Sequence, residues 1–474
     1  MSISFLSRCG LLLLAWLGSA APAQASHVLA VDLTYVYVRD YDYLVTARIY
    51  SDYASSATPG TQVPLTCTST PCGSAAPIGF SANLVRTSLQ TVPASCSRLN
   101  YSVTVLQGTV QLRPGQWTLS IDGLNRVQNL VNVNQSASQT CYVQATLDNT
   151  TYGLRANSSP QFNNSPLIQL LGPRAQRYSA SAFDVDGDSL AYQLERPLTS
   201  PTPADPCGTP TVGALAPLFQ LNPGTGELNA PNGAAQQGLF ALAVRVSQFR
   251  RYNGSWQLLG SAVRDMTYVA IAHPNLPPAF SRVATAQNPA GQLLGQTIRV
   301  NPGQALALQL TATDPDATQQ VRLISEVADI VPGATFQYQG SGSGLLTWQV
   351  PASQPVGRYI LTATAYDNVC PYGAGEVLSV PVLITTQVLA VRPSQTLVQL
   401  PYPNPFQGEV RFRLAERGEQ AVAIVDGLGR EIARLSTTPD GQLVWRPRAE
   451  VAPGLYLART LTGTQVARLY YSGH

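Results

Sequence analysis

No lysine occurs anywhere in this chain, whose 29 basic side chains are all arginine. That absence removes Schiff-base lysines, P-loop lysines and acetyl-lysine switches together. The pattern reads as genome composition rather than chemistry. Histidine is nearly as scarce: His27, His273 and His474 are the full set, and none stands at ligand spacing from a cysteine pair, which argues against zinc. Only 12% of residues are charged, the formal net charge is +3, and the arginines are scattered, with Arg250 and Arg251 adjacent. Without a basic stripe to track a phosphate backbone, nucleic acid is not an expected partner.

What is plentiful points one way. The 474 residues include 37 Gly and 36 Pro among many Ser, Thr, Val, Leu and Tyr, a composition suited to short strands joined by turns. The length accommodates three or four domains, each with its own core. The chain opens "MSISFLSRCGLLLLAWLGSAAPAQAS", with Arg8 before an apolar run from Leu11 to Leu17 and a small-x-small pattern at Ala23 to Ala25. This reads as a secretory signal peptide over 1–25, cleaved before Ser26. Cys9 precedes the apolar run and is not placed as a lipoprotein acceptor. No later stretch approaches about 18 uninterrupted apolar residues. Beyond the signal lie Cys67, Cys72, Cys96, Cys141, Cys207 and Cys370, an even number that in an exported chain suggests disulfides. The roughly fifteen possible pairings stay open, as does the reading of one or two as buried thiols.

From Val28, "VLAVDLTYVYV" and "YLVTARIYSD" alternate as strands around "RDYD", and alternating segments continue to "QTCYVQATL". Two later regions repeat one another. Residues 183–194 read "FDVDGDSLAYQL", followed by "LFQLNPGTGELNA" and "GLFALAVRVSQF"; residues 313–316 read "TDPD", followed by "TFQYQGSGSGLLTWQV" and "GRYILTATAYDN". Each has an aspartate turn, a hairpin around a Gly-rich loop, and an alternating strand opened by glycine. The period of roughly 110 residues fits an immunoglobulin-like sandwich. We therefore expect an all-β chain: an N-terminal β-sandwich over 26–155, then tandem immunoglobulin-like/cadherin-like β-sandwiches over 156–275 and 276–386. A linker over 387–394 and a small C-terminal β-sandwich over 395–474 follow.

Asp184, Asp186, Asp188 and Glu195 stand at positions 1, 3, 5 and 12 of an EF-hand loop. Ser189 occupies the position that needs glycine, and "LAYQL" alternates as a strand where a helix should leave, so an EF-hand is not expected. Asp-x-Asp clusters at the ends of cadherin-like sandwiches hold calcium between neighbours. Asp184, Asp186 and Asp188 in one repeat, and Asp314, Asp316 and Asp367 in the next, are the corresponding candidates for a structural calcium, with plain Asx-turns as the alternative. "GSGSG" at 340–344 resembles the Gly-x-Ser-x-Gly elbow only loosely, with Gly342 where that motif has its serine, and it lies in a hairpin loop, not a strand-to-helix elbow. No region is left over for a catalytic domain, and no enzyme is expected. Trp117, Trp256, Trp348 and Tyr252 are candidates to stack on sugars, against the commoner fate of core packing. Asn-x-Ser/Thr sequons occur at Asn100, Asn134, Asn149, Asn157 and Asn253, and in a eukaryotic secreted protein they would mark surface loops; the resemblance given next implies that they are chance occurrences.

Three spaced elements close the chain: "YPNPF" (Tyr402, Pro403, Asn404, Pro405, Phe406), the hairpin "IVDGLGREI" with Gly427 and Gly429, and "PGLYLARTLTGTQVARLYY" with Gly454, Tyr456 and Gly463. They resemble the type A C-terminal sorting domain of cargo exported by the type IX secretion system of Bacteroidota. The resemblance implies a small β-sandwich read by the type IX secretion machinery at the outer membrane. Cargo is then attached to surface lipopolysaccharide or released, giving a secreted or outer-membrane-surface location. On this reading the prolines stiffen a lead-in that holds the sorting sandwich away from its cargo. The body, through "NSSPQF", "FDVDGDSLAYQL", "NLPPAF", "TATDPD" and "ATAYDNVCP", resembles gliding-motility-associated surface proteins with immunoglobulin- or cadherin-like repeats. "SHVLAVDLTY" departs from that family's opening, with Ala30, Val31 and Asp32 where Gly, Gly and Glu are usual and Tyr53 where a Cys is common. The combined expectation is a non-catalytic adhesive or structural scaffold of sandwiches in series, partnered by polysaccharide or other surface proteins. The alternative is a carbohydrate-binding or polysaccharide-degrading accessory protein of the same route.

Overall fold

The computed structural model describes residues 28–52, 60–70, 78–92, 101–166, 169–172, 174–201, 210–231, 236–370, 372–386, 399–414, 418–426, 430–460 and 466–473. The expected signal peptide, Cys72, Cys96, Cys207, the 387–394 linker, and Gly427, Gly429 and Gly463 lie outside the described residues. The chain divides into two compact units, residues 1–386 and 387–474.

The first unit begins with β1 (Val28–Arg39), β2 (Asp42–Asp52), β3 (Gln62–Thr70), β4 (Ile78–Val92), β5 (Tyr101–Gln111), β6 (Gln116–Asn125) and β7 (Thr140–Asp148). Period-2 alternation sets their inward face: Tyr43, Val45, Ala47 and Ile49 of β2 are buried while their neighbours are less so. The second region holds β8 (Gln161–Phe162), β9 (Gln169–Gly172), β10 (Gln176–Ser179), β11 (Ala182–Phe183), β12 (Ser189–Glu195), β13 (Gln220–Leu221), β14 (Glu227–Ala230), β15 (Gly238–Tyr252) and β16 (Ser255–Ala272). The third holds β17 (Ala279–Ala284), β18 (Ile298–Val300), β19 (Ala305–Thr313), β20 (Arg322–Ile324), β21 (Ala334–Gly340), β22 (Ser343–Gln349), β23 (Gly357–Tyr366) and β24 (Gly375–Ile384). A one-turn helix, Val327–Ile330, sits between β20 and β21.

Strand order makes the third region an immunoglobulin-type sandwich. One layer runs β17-β19-β22-β21 and the other β18-β24-β23-β20, with β18 parallel to β24. These are an ABED sheet facing a GFC sheet, the first strand being split between them. Leu308, Leu310, Leu346, Trp348, Leu361 and Val380 fill the space between. The second region repeats this plan, with β9-β16-β15-β12 on one side, β9 parallel to β16, and β10-β14-β13 on the other.

The first region differs from the free-standing sandwich expected up to residue 155. Its strands follow the order β1-β2-β5-β4-β3-β6-β7, and β16 then joins β7 at Gly260–Ala262 and β1 at Arg264–Met266, so the pairings return on themselves. With 18 residues, β16 is long enough to take β7, β1 and β9 in turn along one edge. A single sheet therefore runs across residue 155. Two buried ion pairs sit where β1 meets β16. Arg264 gives Nε and Nη2 to Asp32 at 2.6 and 2.5 Å and covers the Phe162 ring at 4.2 Å, and Arg126 gives Nη1 and Nη2 to Asp265 at 2.9 and 2.6 Å.

Nor do the second and third sandwiches stand strictly in series. Phe183 of β11 belongs to the core of the third region, 5.3 Å from the Tyr359 ring and 6.2 Å from Trp348. Asn163 Nδ2 donates to Ile360 O at 2.8 Å, and Arg177 pairs with Glu376 at 2.6 Å. A buried aromatic with flanking polar contacts makes this a side-by-side seam, not a flexible end-to-end joint.

The second unit is a small sandwich of β25 (Gln399–Tyr402), β26 (Val410–Arg413) and β29 (Gln442–Trp445) against β28 (Glu431–Ser436), β27 (Ala421–Val425), β30 (Gly454–Thr460) and β31 (Val466–Tyr471). Its core contains Phe406, Phe412, Ile424, Trp445, Tyr456, Leu469 and Tyr471. β25 is an edge strand, which is where Pro401 is tolerated.

Candidate functional site

The two aspartate clusters occupy matching places in the second and third sandwiches. In the second, Asp184 Oδ1 accepts from Asp186 N at 3.0 Å and Asp188 N at 3.1 Å, and Asp186 Oδ2 accepts from Ser158 N at 2.6 Å. In the third, Asp314 Oδ1 accepts from Asp316 N at 2.8 Å, and Asp316 Oδ2 accepts from Leu276 N at 3.1 Å. The shared hydrogen bonds align "NSSPQF" with "NLPPAF", hence Asn157 with Asn275. Both clusters therefore contain the Asx-turns that aspartate in such loops favours.

The clusters differ in what faces the aspartates. Asp367 follows β23 and receives Asn275 Nδ2 at 2.8 Å and Ala374 N at 2.9 Å on one oxygen. At the same distance from the glycine that opens its strand, the second sandwich has Gln248. With its amide assigned so that both groups are satisfied, Gln248 donates to Asp184 Oδ2 at 3.0 Å and accepts from Asn157 Nδ2 at 2.6 Å. A carboxylate is thus replaced by a neutral amide. Arg250, two residues on, places Nε 2.6 Å from Asp188 Oδ1 and Nη2 2.8 Å from Asp188 Oδ2, and reaches Asn157 Oδ1 at 3.0 Å and Asp186 Oδ2 at 3.8 Å.

Carboxylate oxygens of Asp184, Asp186 and Asp188 lie within 4.8 Å of one another, the spacing a cation needs. A cation is already there: the Arg250 fork uses both oxygens of Asp188, backbone N–H groups and Gln248 meet Asp184, and Ser158 N meets Asp186 Oδ2. Arg250 thus supplies the positive charge that a metal ion would bring to this trio. Burial, reinforced by Asp188, holds the Asp184 carboxyl up at about 8.

Asp314, Asp316 and Asp367 form the looser group, and it is the one with unmet acceptors. Asp314 Oδ2 and Gln319 Oε1 are buried without a hydrogen-bond partner. Gln319 Nε2 bridges Asp316 Oδ2 at 2.9 Å and Asn275 Oδ1 at 2.8 Å. Among the described residues no arginine pairs with any of the three. Burial and the charges of Asp367 and Asp316 push Asp314 up to about 6. Carboxylates and amides short of positive charge are the donor types a hard divalent cation takes, but among the described residues only Asp184, Asp186 and Asp188 bring three carboxylates within 4.8 Å of one another.

Other candidates fall out by position. Glu195 lies on β12 and pairs with Arg245 at 2.5 Å, away from the loop, so the region is strand where an EF-hand has helix. Ser341 sits at φ 48° in the turn between β21 and β22. Trp117 and Trp348 are core residues, whereas Trp256 is 62% exposed. Asn149 and Asn157 are buried and hydrogen-bonded, so neither is a surface sequon. Cys67 and Cys141 are free, buried thiols pushed up to about 12 by burial, and Cys370 is disulfide-bonded.

"YPNPF" is part of the small sandwich itself. Phe406 is 2% exposed and packs at 5.5 Å from Trp445 and 5.3 Å from Tyr471. Its backbone pairs with Tyr470 O and Ser472 N, and Asn404 Oδ1 accepts from Tyr470 N at 2.7 Å. The segment is a wall of the sandwich where the sequence suggested a stiff lead-in, because Phe406 finds its apolar partners on β29 and β31. Tyr402, at 75% exposed, points to solvent. Gly454 opens β30, and Tyr456 is buried 5.2 Å from Trp445.

No protein-family profile matches the chain. No curated protein matches it either. Among solved structures, it is similar to the tandem Ig repeats of Dlar, at 9% identity over 48% of this chain and 95% of that one, with a TM-score of 0.20. It is also similar to protocadherin gamma B2 extracellular cadherin domains 3-6, at 14% identity over 77% and 79%, TM-score 0.18. Extracellular domains 3-5 of Drosophila OTK match at 10% identity over 66% and 97%, TM-score 0.16. Superpositions this loose carry no argument, and the assignment rests on the strand order described above. The chain is a multi-domain, all-β protein of immunoglobulin-like sandwiches with a small C-terminal β-sandwich.

Proposed function

We propose that this protein is a non-catalytic adhesive or structural scaffold, secreted or held at the outer-membrane surface and delivered by type IX secretion. The observation that carries this reading is the C-terminal unit. Residues 387–474 cluster as a compact body whose core closes around Phe406, Trp445, Tyr456 and Tyr471. A module with a core of its own is what a separable sorting address requires, and Tyr402, Pro403, Asn404 and Pro405 lie on its edge segment. The other unit is occupied by sandwiches joined through shared strands and a shared aromatic, an arrangement suited to rigid display of loops. In the same reading Asp314, Asp316 and Asp367 hold a structural calcium that ties the 273–278 segment to the third sandwich, supported by the unmet Asp314 and Gln319 oxygens. Extracellular sites of this kind work at roughly 10⁻⁴ to 10⁻³ M.

Fractionation of the native organism producing the chain with and without residues 395–474 tests delivery. The full chain is expected at the cell surface or in the medium and the truncated chain in the periplasm; normal delivery of the truncated chain would sink the proposal.

A further inference from the structure

A cleft of about 700 Å³ opens between the second and third sandwiches, within the range of small-ligand sites. Its walls come from the 187–190 loop, from the far end of the β15–β16 hairpin, and from residues 356–360 at the start of β23. Two features make it unusual for a seam. Trp256 lies on its wall and is 62% exposed, against 7% and below for Trp117, Trp348 and Trp445. Arg251 and Arg358 line it as well, both exposed; neither meets a carboxylate among the described residues, and Arg251 Nε touches only Gly254 O at 3.4 Å. Among the described residues, the one acid on the wall, Asp188, is consumed by Arg250. The cleft therefore offers a flat apolar face beside two uncommitted guanidinium forks.

Its shape is held from below. Gly187 has φ 78°, and a Cβ there would come within 2.6 Å of Pro355, so the loop lies flat on the third sandwich and leaves the space above it open. Arg250 fixes the same loop through Asp188, and Val356, 56% exposed, extends the apolar floor.

We propose that this cleft binds an acidic polysaccharide, with the Trp256 indole stacked on a sugar ring and Arg251 and Arg358 paired with ring carboxylates. Guanidinium forks match carboxylates in bidentate geometry, and an amphipathic aromatic suits the apolar face of a pyranose. Two unpaired arginines are too few to follow a nucleic-acid backbone. The inference names a partner for the adhesive reading and rests on it, but its test needs only purified protein and is blind to the route of export.

The test is calorimetric titration of the purified full chain with a hexamer of galacturonic acid, and with maltohexaose as the neutral control. The acidic hexamer is expected to bind, with an affinity that falls as salt is raised. The neutral hexamer is expected to bind at least about tenfold more weakly. Trp256→Ala is expected to weaken binding about tenfold or more, the size of losing one buried anchor. The double variant Arg251→Ala/Arg358→Ala does the same through different residues, which keeps the test decisive if the first variant folds poorly. Equal binding of both hexamers, no binding of galacturonate, unchanged affinity in the folded variants, or tighter binding of a thymidylate hexamer would each overturn the proposal.

Discussion

Arg250 grips both oxygens of Asp188 in the second sandwich, at 2.6 and 2.8 Å, whereas among the described residues no arginine pairs with the aspartates of the third sandwich. The Asp188 side chain is almost fully buried, so removing its partner strands a charge. Arg250→Gln is expected to cost about 3 kcal/mol, the lower end for a broken buried pair because the arginine itself is partly exposed. It also opens the trio to metal. Terbium luminescence is expected to report one bound ion in the wild type and two in Arg250→Gln; an unshifted melting curve with unchanged stoichiometry would show that Arg250 is not the resident cation.

Calcium itself is expected to stabilise the protein through the third sandwich. At ten to a hundred times its dissociation constant a ligand adds about 1.4 to 2.7 kcal/mol. Differential scanning calorimetry in chelator and in millimolar calcium reads this directly. Asp314→Asn keeps an acceptor for Asp316 N but loses the unmet anionic oxygen, and is expected to abolish the calcium response. Identical melting temperatures in chelator and calcium for the wild type would remove calcium from the account.

The same clusters set a pH dependence in the metal-free protein. Asp184 titrates near 8 in the folded chain and at its ordinary 3.8 once unfolded. Between those values the folded state holds a proton the unfolded state has released, so stability falls as pH rises from about 4 to about 8 and levels off above. Asp314, near 6, adds to the lower part of that slope. Urea unfolding at pH 5, 6.5 and 8 in chelator is expected to show the decline, and Asp184→Asn to flatten its upper half. A wild type that gains stability between pH 5 and 8 would refute this.

Much of the fold is legible because period-2 alternation is local: β2 and β19 reveal their inward faces in the sequence alone, and the duplicated "GLFALAVRVSQF" and "GRYILTATAYDN" announce two copies of one sandwich. The contacts that change the meaning of a motif are not local. Arg250 meets Asp188 across 62 residues, and Gln248 stands for Asp367 only once the two strands are compared in space. Asp184, Asp186 and Asp188 look like the better calcium loop in sequence because the guanidinium that fills it is far away in the chain. β16 likewise gives no sign that its second edge will pair with β1 and β7.

Asp32 and Arg264 lie 232 residues apart and meet at 2.6 and 2.5 Å, with 2% and 1% exposure. Asp32→Asn leaves Arg264 charged and buried, and is expected to cost about 3 to 5 kcal/mol. Replacing both by apolar residues of similar size is expected to be far milder than the single change, since the desolvation of both charges disappears with them. A double-mutant cycle by urea unfolding checks this; additive losses would mean the two side chains act independently.

Phe406 and Tyr402 separate the structural from the recognisable part of "YPNPF". Phe406→Ala removes a fully buried ring from between Trp445 and Tyr471 and is expected to cost about 3 to 5 kcal/mol. Limited proteolysis of the purified chain should then cut within 395–474 while the larger unit persists. Tyr402 is 75% exposed, so Tyr402→Ala is expected to change stability by no more than about 0.5 kcal/mol. If the segment is read during export, Tyr402→Ala nevertheless lowers the amount reaching the surface. A folded, protease-resistant Tyr402→Ala protein delivered at wild-type levels would mean that "YPNPF" serves the small sandwich through Phe406 and that any address lies elsewhere on it.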